Sequence, residues 1–122
     1  MSSSPAEIVR SAQARSFMEG EELCREYLRE QRMWFGTSTL QPGEHGDIDP
    51  GHATSVEVFY CAQGHVVMHD GERDYELRAG DAIVVPEGLP HALSNIGDVM
   101  AVLVWAGAPG EGQPADGQHS AG

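Results

Sequence analysis

The stretch Gly80 to Asn95, GDAIVVPEGLPHALSN, constrains the fold of this chain more than any other. It reads glycine, five residues, Pro86, one residue, Gly88, two residues, His91, three residues and Asn95. The β-formers Ile83 to Val85 stand between a Gly-Asp turn and a bend made by Pro86, Gly88 and Pro90, where proline fixes φ and glycine frees it. A strand therefore enters from one turn, bends at a second and delivers His91 into the next strand.

The same alternation continues upstream and downstream. Glu21 to Glu30 is ambiguous, because Leu23, Tyr27 and Leu28 also fit a helical stripe, and a strand is the reading taken. Met33 to Leu40, MWFGTSTL, is rich in β-formers and stops at Gln41-Pro42-Gly43. Val56 to Ala62 and His65 to His69 make two more strands, and Asp70-Gly71 is the tight-hairpin pair that leads into Asp74 to Arg78. Ala101 to Trp105 is the last apolar strand. Turn signals recurring every six to twelve residues predict an all-β fold, an antiparallel barrel or jelly roll. Ser4-Pro5-Ala6-Glu7 has the form of a capping box, so residues 1–20 read as an N-terminal arm or short helix. Residues 21–107 form the barrel, and 108–122, mostly small and polar residues with glycine and proline, read as a disordered tail.

At 122 residues the chain can bury one core. Its 19 acidic residues face seven basic ones, all arginine, for a formal charge of -12. Such a surface repels phosphate backbones and anionic bilayers, so neither nucleic acid nor membrane is expected as a partner. No apolar run approaches the roughly 20 residues of a membrane span. Cys24 and Cys61 lack zinc-ribbon spacing and no signal-peptide core precedes them, so a cytoplasmic protein with reduced thiols is expected.

In a small barrel alternate residues of each strand point inward, and groups distant in sequence meet in the lumen. His52 and Glu57 are five residues apart and would face opposite sides of a regular strand, so the small, polar stretch Gly51 to Ser55 must contain a turn or bulge if they are to meet. His91 would join them. Two imidazoles and a carboxylate on one face suit a divalent transition metal and leave positions open for a ligand. The plainer alternative is a core hydrogen bond between His52 and Glu57, since a buried carboxylate needs a partner.

Gly80 to Asn95 fills every fixed position of the second signature motif of the cupin superfamily, which the chain resembles. For the first motif, Glu57 stands seven positions before Gly64 and His52 falls on the second histidine of the motif's pair; Pro50 occupies the place of the first. The two motifs cover about Gly46 to Asn95. The resemblance implies a cupin-type antiparallel β-barrel, a double-stranded β-helix, with His52, Glu57 and His91 as ligands of one divalent transition metal (Fe, Mn, Zn, Ni or Co). It also implies a homodimer paired through barrel edges. Asp47, Asp49 or His45 could replace the missing ligand, although strand parity puts both aspartates opposite Pro50 and His52, as solvated or turn-stabilising charges. His65 and His69 suit exposed or cross-strand pairs, and His119 lies in the tail.

Trp34 and Phe59 are the expected substrate-side walls, Phe59 being two residues beyond Glu57 on the same strand face. Glu57 and Tyr60 are the expected catalytic residues, with Tyr60 moving a proton in the lumen. The function expected is a metal-dependent enzyme acting on a small polar metabolite, of dioxygenase, decarboxylase, isomerase, lyase or cyclase type, with the metal as Lewis acid. The alternative is a non-catalytic small-molecule-binding protein, a sensor or accessory subunit with a degenerate metal site. Metal-free acid/base chemistry by His52 and His91 is a third reading. No arginine lies within either motif, which disfavours a highly anionic substrate.

Overall fold

The computed structural model describes residues 4–111. Nine strands follow a short 3-10 turn, Ser11–Gln13: β1 (Arg15–Glu19), β2 (Glu22–Arg29), β3 (Trp34–Leu40), β4 (Val56–Gln63), β5 (His65–His69), β6 (Asp74–Arg78), β7 (Ala82–Val85), β8 (Ala92–Asn95) and β9 (Ala101–Ala108). Six of them form a sheet in the order β1-β2-β3-β9-β4-β7, and three form a second in the order β6-β5-β8. Every strand pair is antiparallel. The sheets are hydrogen-bonded separately rather than closed into one continuous barrel. Isolated bridges Gly20 to Gly46, His45 to Ser94 and Asp49 to His91 extend the pairing at one end.

Strict alternation builds the core. In β9 Ala101, Leu103, Trp105 and Gly107 turn inward, and in β4 Glu57, Phe59 and Cys61 do, while Val56, Val58 and Tyr60 face out. These meet Val66, Met68, Leu77 and Leu93 from the smaller sheet in one apolar cluster. Burial of that surface is the main favourable term for a domain of this size. Among the described residues no helix is long and apolar enough to cross a membrane.

Two tryptophans lock the centre reciprocally. In the β3–β9 ladder Trp34 lies directly opposite Gly107, and Gly36 directly opposite Trp105. A methyl group built on either glycine would run into the indole across from it. Each ring thus lies flat over a bare backbone, and both tryptophans are completely buried.

The N-terminal segment departs from expectation. Residues 4–10 carry no regular structure, and β1 runs through the region read as an arm or helix, paired with β2 along its whole length. A cap alone does not nucleate a helix when no apolar stripe follows to pack it, whereas an adjacent strand edge supplies a ladder. At the other end, β9 continues to Ala108, Gly110 N–H donates to the Gln31 carbonyl at 2.8 Å, and Ser55 Oγ donates to the Pro109 carbonyl at 2.6 Å. The start of the expected tail is therefore tied down through Glu111; residues 112–122, His119 among them, lie outside the described residues.

Gly107→Ala should lower the unfolding free energy by about 1–3 kcal/mol, the usual range for overpacking a filled core. Urea denaturation checks it, and an unchanged midpoint would show that the indole has room to move.

Candidate functional site

The two loops carrying the histidines are built on each other. Gly51 has φ 91° and its missing side chain leaves space for the Leu89 carbonyl, which would stand 2.7 Å from a Cβ there. Gly88 N–H donates to the His52 carbonyl at 2.8 Å. Between Gly51 and Val56 the chain turns, and this break in alternation brings His52 and Glu57 to one side. Asp49 and His91 exchange both backbone hydrogen bonds, at 2.8 and 2.9 Å, so they form a directly opposed antiparallel pair.

His52, Glu57 and His91 converge. His52 Nε2 lies 3.3 Å and His91 Nε2 3.5 Å from the same oxygen, Glu57 Oε1. The other carboxylate oxygen accepts from Trp34 Nε1 at 3.1 Å. All three residues are almost wholly buried, Glu57 completely. His91 Nδ1 lies 3.0 Å from the Leu89 carbonyl and His52 Nδ1 2.9 Å from Glu111 Oε1. Both of those oxygens only accept, so Nδ1 carries a proton on each ring, and Nε2, turned to Glu57, carries the second proton of the imidazolium form.

The electrostatics follow from this packing. Burial pushes the Glu57 carboxyl up, but hydrogen bonds from His52 and His91 and their charges outweigh it and hold Glu57 below its ordinary value. Burial pulls both imidazoles down, yet the Glu57 carboxylate raises His52 above its ordinary value. For His91 the Glu57 bond, the Leu89 carbonyl and the Asp49 charge together overcome burial and raise it to about 9. On its own the cluster is a carboxylate clasped by two imidazolium-prone rings.

The donor chemistry fits a divalent ion. Two ligands about 2.1 Å from one metal stand about 3.0 Å apart at a right angle and about 3.4 Å at a tetrahedral angle, close to the spacings of the two Nε2 atoms from Glu57. Nδ1 is committed elsewhere on each ring, so deprotonation would leave the Nε2 lone pair as the ligand. Here the rings close onto the carboxylate, and among the described residues no group of three or more histidine, cysteine, aspartate or glutamate side chains stands as a ready-made metal shell.

Other expected site residues lie elsewhere. Tyr60 is on the outer face of β4, 45% exposed, because alternation sends it opposite Glu57 and Phe59; it cannot move a proton in the interior. Trp34 and Phe59 are inside but wholly buried, so they support the site from behind and offer no surface to a substrate. The Trp34 ring lies against His52, centroids 4.5 Å apart, and Phe59 meets His91 edge-on at 5.4 Å. His45 pairs with Ser94 Oγ at 2.8 Å, His69 with its cross-strand neighbour Asp74 at 2.6 Å, and His65 lies 3.4 Å from Glu76. Pro50 is exposed.

Asp49 stabilises its turn and lies opposite Pro50, as expected, but it shares the interior with His52 rather than facing solvent. Residues 47–51 do not form a regular strand, and Asp49 turns inward, 3% exposed, while Asp47 stays outside. Its Oδ1 accepts from Gly51 N–H at 2.8 Å, and its Oδ2 is buried with no hydrogen-bond partner. Two further interior acids were not anticipated. Glu22 accepts from Ser38 Oγ, which in turn accepts from Trp105 Nε1 at 2.8 Å. Burial pushes Glu22 up to about 7 against the bonds from Ser38 and Cys24. Glu19 is 4% exposed, and neither carboxylate oxygen has a hydrogen-bond partner. Burial first, then the charges of Glu22, Asp49, Glu57 and Asp47, raise it to about 10. Alternation with Cys24 is the one signal that could have turned Glu22 inward, and Glu19 had none.

Glu19 has a raised folded value, so between about 4.5 and about 10 the folded protein binds more protons than the unfolded chain, and its contribution to stability falls as pH rises through that window. Glu19→Gln does not titrate. The variant should therefore gain on the parent between about pH 5 and about pH 8, by at most about 1.4 kcal/mol per pH unit. Urea unfolding at the two pH values checks it; an equal difference at both would show that Glu19 ionises normally.

A model of the cupin domain matches residues 36–107. An uncharacterized protein of Methanocaldococcus jannaschii is 33% identical over 58 residues, 48% of this chain and 46% of that one, so the chain aligns with about half the length of that relative. An oxalate-binding protein of Thermotoga maritima is 28% identical over 86 residues, 67% of this chain and 70% of that protein. Among solved structures, a predicted oxalate decarboxylase of Thermotoga maritima superposes with a TM-score of 0.71 at 21% identity, covering 84% of this chain and 99% of that one, a likeness of fold. The domain match spans more than half of the chain, including both loops and all three converging side chains: the protein belongs to the cupin family.

Proposed function

We propose that this cupin is a divalent-metal-dependent enzyme acting on a small polar metabolite, with His52, Glu57 and His91 as the metal-holding set. What supports the reading is the pair of Nε2 atoms 3.3 and 3.5 Å from one buried carboxylate oxygen, each ring held in one orientation by its Nδ1 partner. A divalent ion bound there would supply Lewis acidity toward a carbonyl, carboxylate or enediol oxygen. The chain's own residues do the rest. Trp34 orients the Glu57 carboxylate, Phe59 and the Leu89 carbonyl set the plane of His91, and Glu111 does the same for His52.

A second reading, a non-catalytic small-molecule-binding protein, is favoured by Pro50 in the place of the first motif histidine and by the closed His–Glu contacts. The buried thiols Cys24 and Cys61, neither in a disulfide, fit the cytoplasmic setting that belongs to the same proposal. A homodimer is part of it too: Val56, Val58, Tyr60 and Val84 leave an apolar patch on the outer face of the neighbouring strands β4 and β7.

Protein expressed with transition-metal supplementation should carry close to one divalent ion per chain by elemental analysis, and His91→Ala should lower the affinity at least tenfold. Metal-free protein after supplementation would support the binding-protein reading instead. In sedimentation the parent should run as a dimer and Val58→Asp as a folded monomer; a monomeric parent at all concentrations would end the dimer proposal.

A further inference from the structure

Beside the histidine cluster lies a second feature that the proposed chemistry does not use. A cavity of about 230 Å³ opens between the end of β1 and the loop before β4, lined by Glu19, Asp47, Ile48, Asp49 and Pro50. Three of its five lining residues are acids. Two of them, Glu19 and Asp49, are more than nine-tenths buried and present oxygens with no hydrogen-bond partner: both of Glu19 and Oδ2 of Asp49. Buried carboxylate oxygens left without a donor cost several kcal/mol unless something supplies one. No lining residue has a cationic side chain. The buried arginine, Arg29, is already bound by Glu26, Nη2 to Oε2 2.8 Å.

The backbone is shaped to keep these acids close. Gly20 has φ 63°, and a side chain there would stand 2.8 Å from Asp47 Oδ1; one on Gly46 would stand 2.5 Å from Glu22 Oε1. The pair Gly20 and Gly46, bridged to each other, gives the carboxylates room that any larger residue would take.

We infer that this cavity is a subsite for an organic cation, a small ligand carrying an ammonium group that donates to Glu19 and Asp49. A bare metal ion needs far less room: about 230 Å³ is the space of some seven waters at roughly 30 Å³ each, enough for a compact organic group. An ammonium brings three donors; Asp49 Oδ2 and the two Glu19 oxygens can accept them once the incoming cation displaces to solvent the proton that burial keeps on Glu19. With three acids and no cationic side chain in its lining, the cavity offers a dianion nothing to pair with, so this chain should not share the ligand named for its oxalate-binding relative. Asp49 is paired backbone to backbone with His91, so a ligand held here reaches toward the histidine cluster. The inference thus narrows the substrate class of the proposed site while resting on different residues.

The test is isothermal titration of full-length, chelator-treated protein with 1,3-diaminopropane, with oxalate and calcium chloride in parallel. Saturable binding of the diamine is expected, weakened at least tenfold in Glu19→Gln and in Asp49→Asn, with no heat from oxalate. Both variants keep the shape of the side chain, and circular dichroism verifies that they fold. Absence of saturable diamine binding, parental affinity in both variants, binding of oxalate, or tighter binding of calcium than of the diamine would each overturn the inference. The titrated protein contains no metal, so a chain that never takes up an ion can still pass, and one that loads metal can still fail.

Discussion

Everything about the interior follows from the burial of one carboxylate. Glu57 sits where an apolar residue would serve the core better, and an ionised carboxylate without partners would not persist in that medium. Trp34, His52 and His91 meet it from three elements, and each is fixed by a further contact: Trp34 over Gly107, His52 against Glu111, His91 on the Leu89 carbonyl. The reciprocal tryptophan–glycine pairs are thus part of the site as well as of the core. One indole holds Glu57, and the other, through Ser38, holds Glu22.

A domain of this size keeps little stability in reserve, so the three unpartnered oxygens that Glu19 and Asp49 bring to one cavity carry a cost. Strain of this kind is ordinarily retained at places that do something. Here it is concentrated at one end, where the isolated bridges join the β1–β2 turn and the loop before β4 to the strand that starts at His91. Two imidazoles and a carboxylate lie beside the unpartnered acids, so the proposed metal-holding set and the inferred cation subsite are neighbours.

Much of this was legible before any coordinates. Proline and glycine mark the turns, period-two alternation marks β4 and β9, and the motif spacing selects His52, Glu57 and His91 because the turn at Gly51 to Ser55 cancels their opposite parity. Other features depended on pairing that no local pattern carries. β1 has few apolar residues and exists because the edge of β2 is there to pair with. Asp49 could not be assigned a face by parity, since its segment is held by one isolated bridge rather than a ladder. Tyr60 is instructive in the other direction: alternation with Glu57 predicts its outward direction, and applying that rule would have removed it from the interior.

The claim that joins these observations is that His52, Glu57 and His91 form a single ligand set. Anomalous diffraction at transition-metal absorption edges, from crystals of metal-supplemented protein, tests it most directly. The expected map has one peak at coordination distance, about 2.0–2.2 Å, from both Nε2 atoms and a Glu57 oxygen. A map in which the two rings still rest against the carboxylate, with no anomalous peak between them, would contradict it.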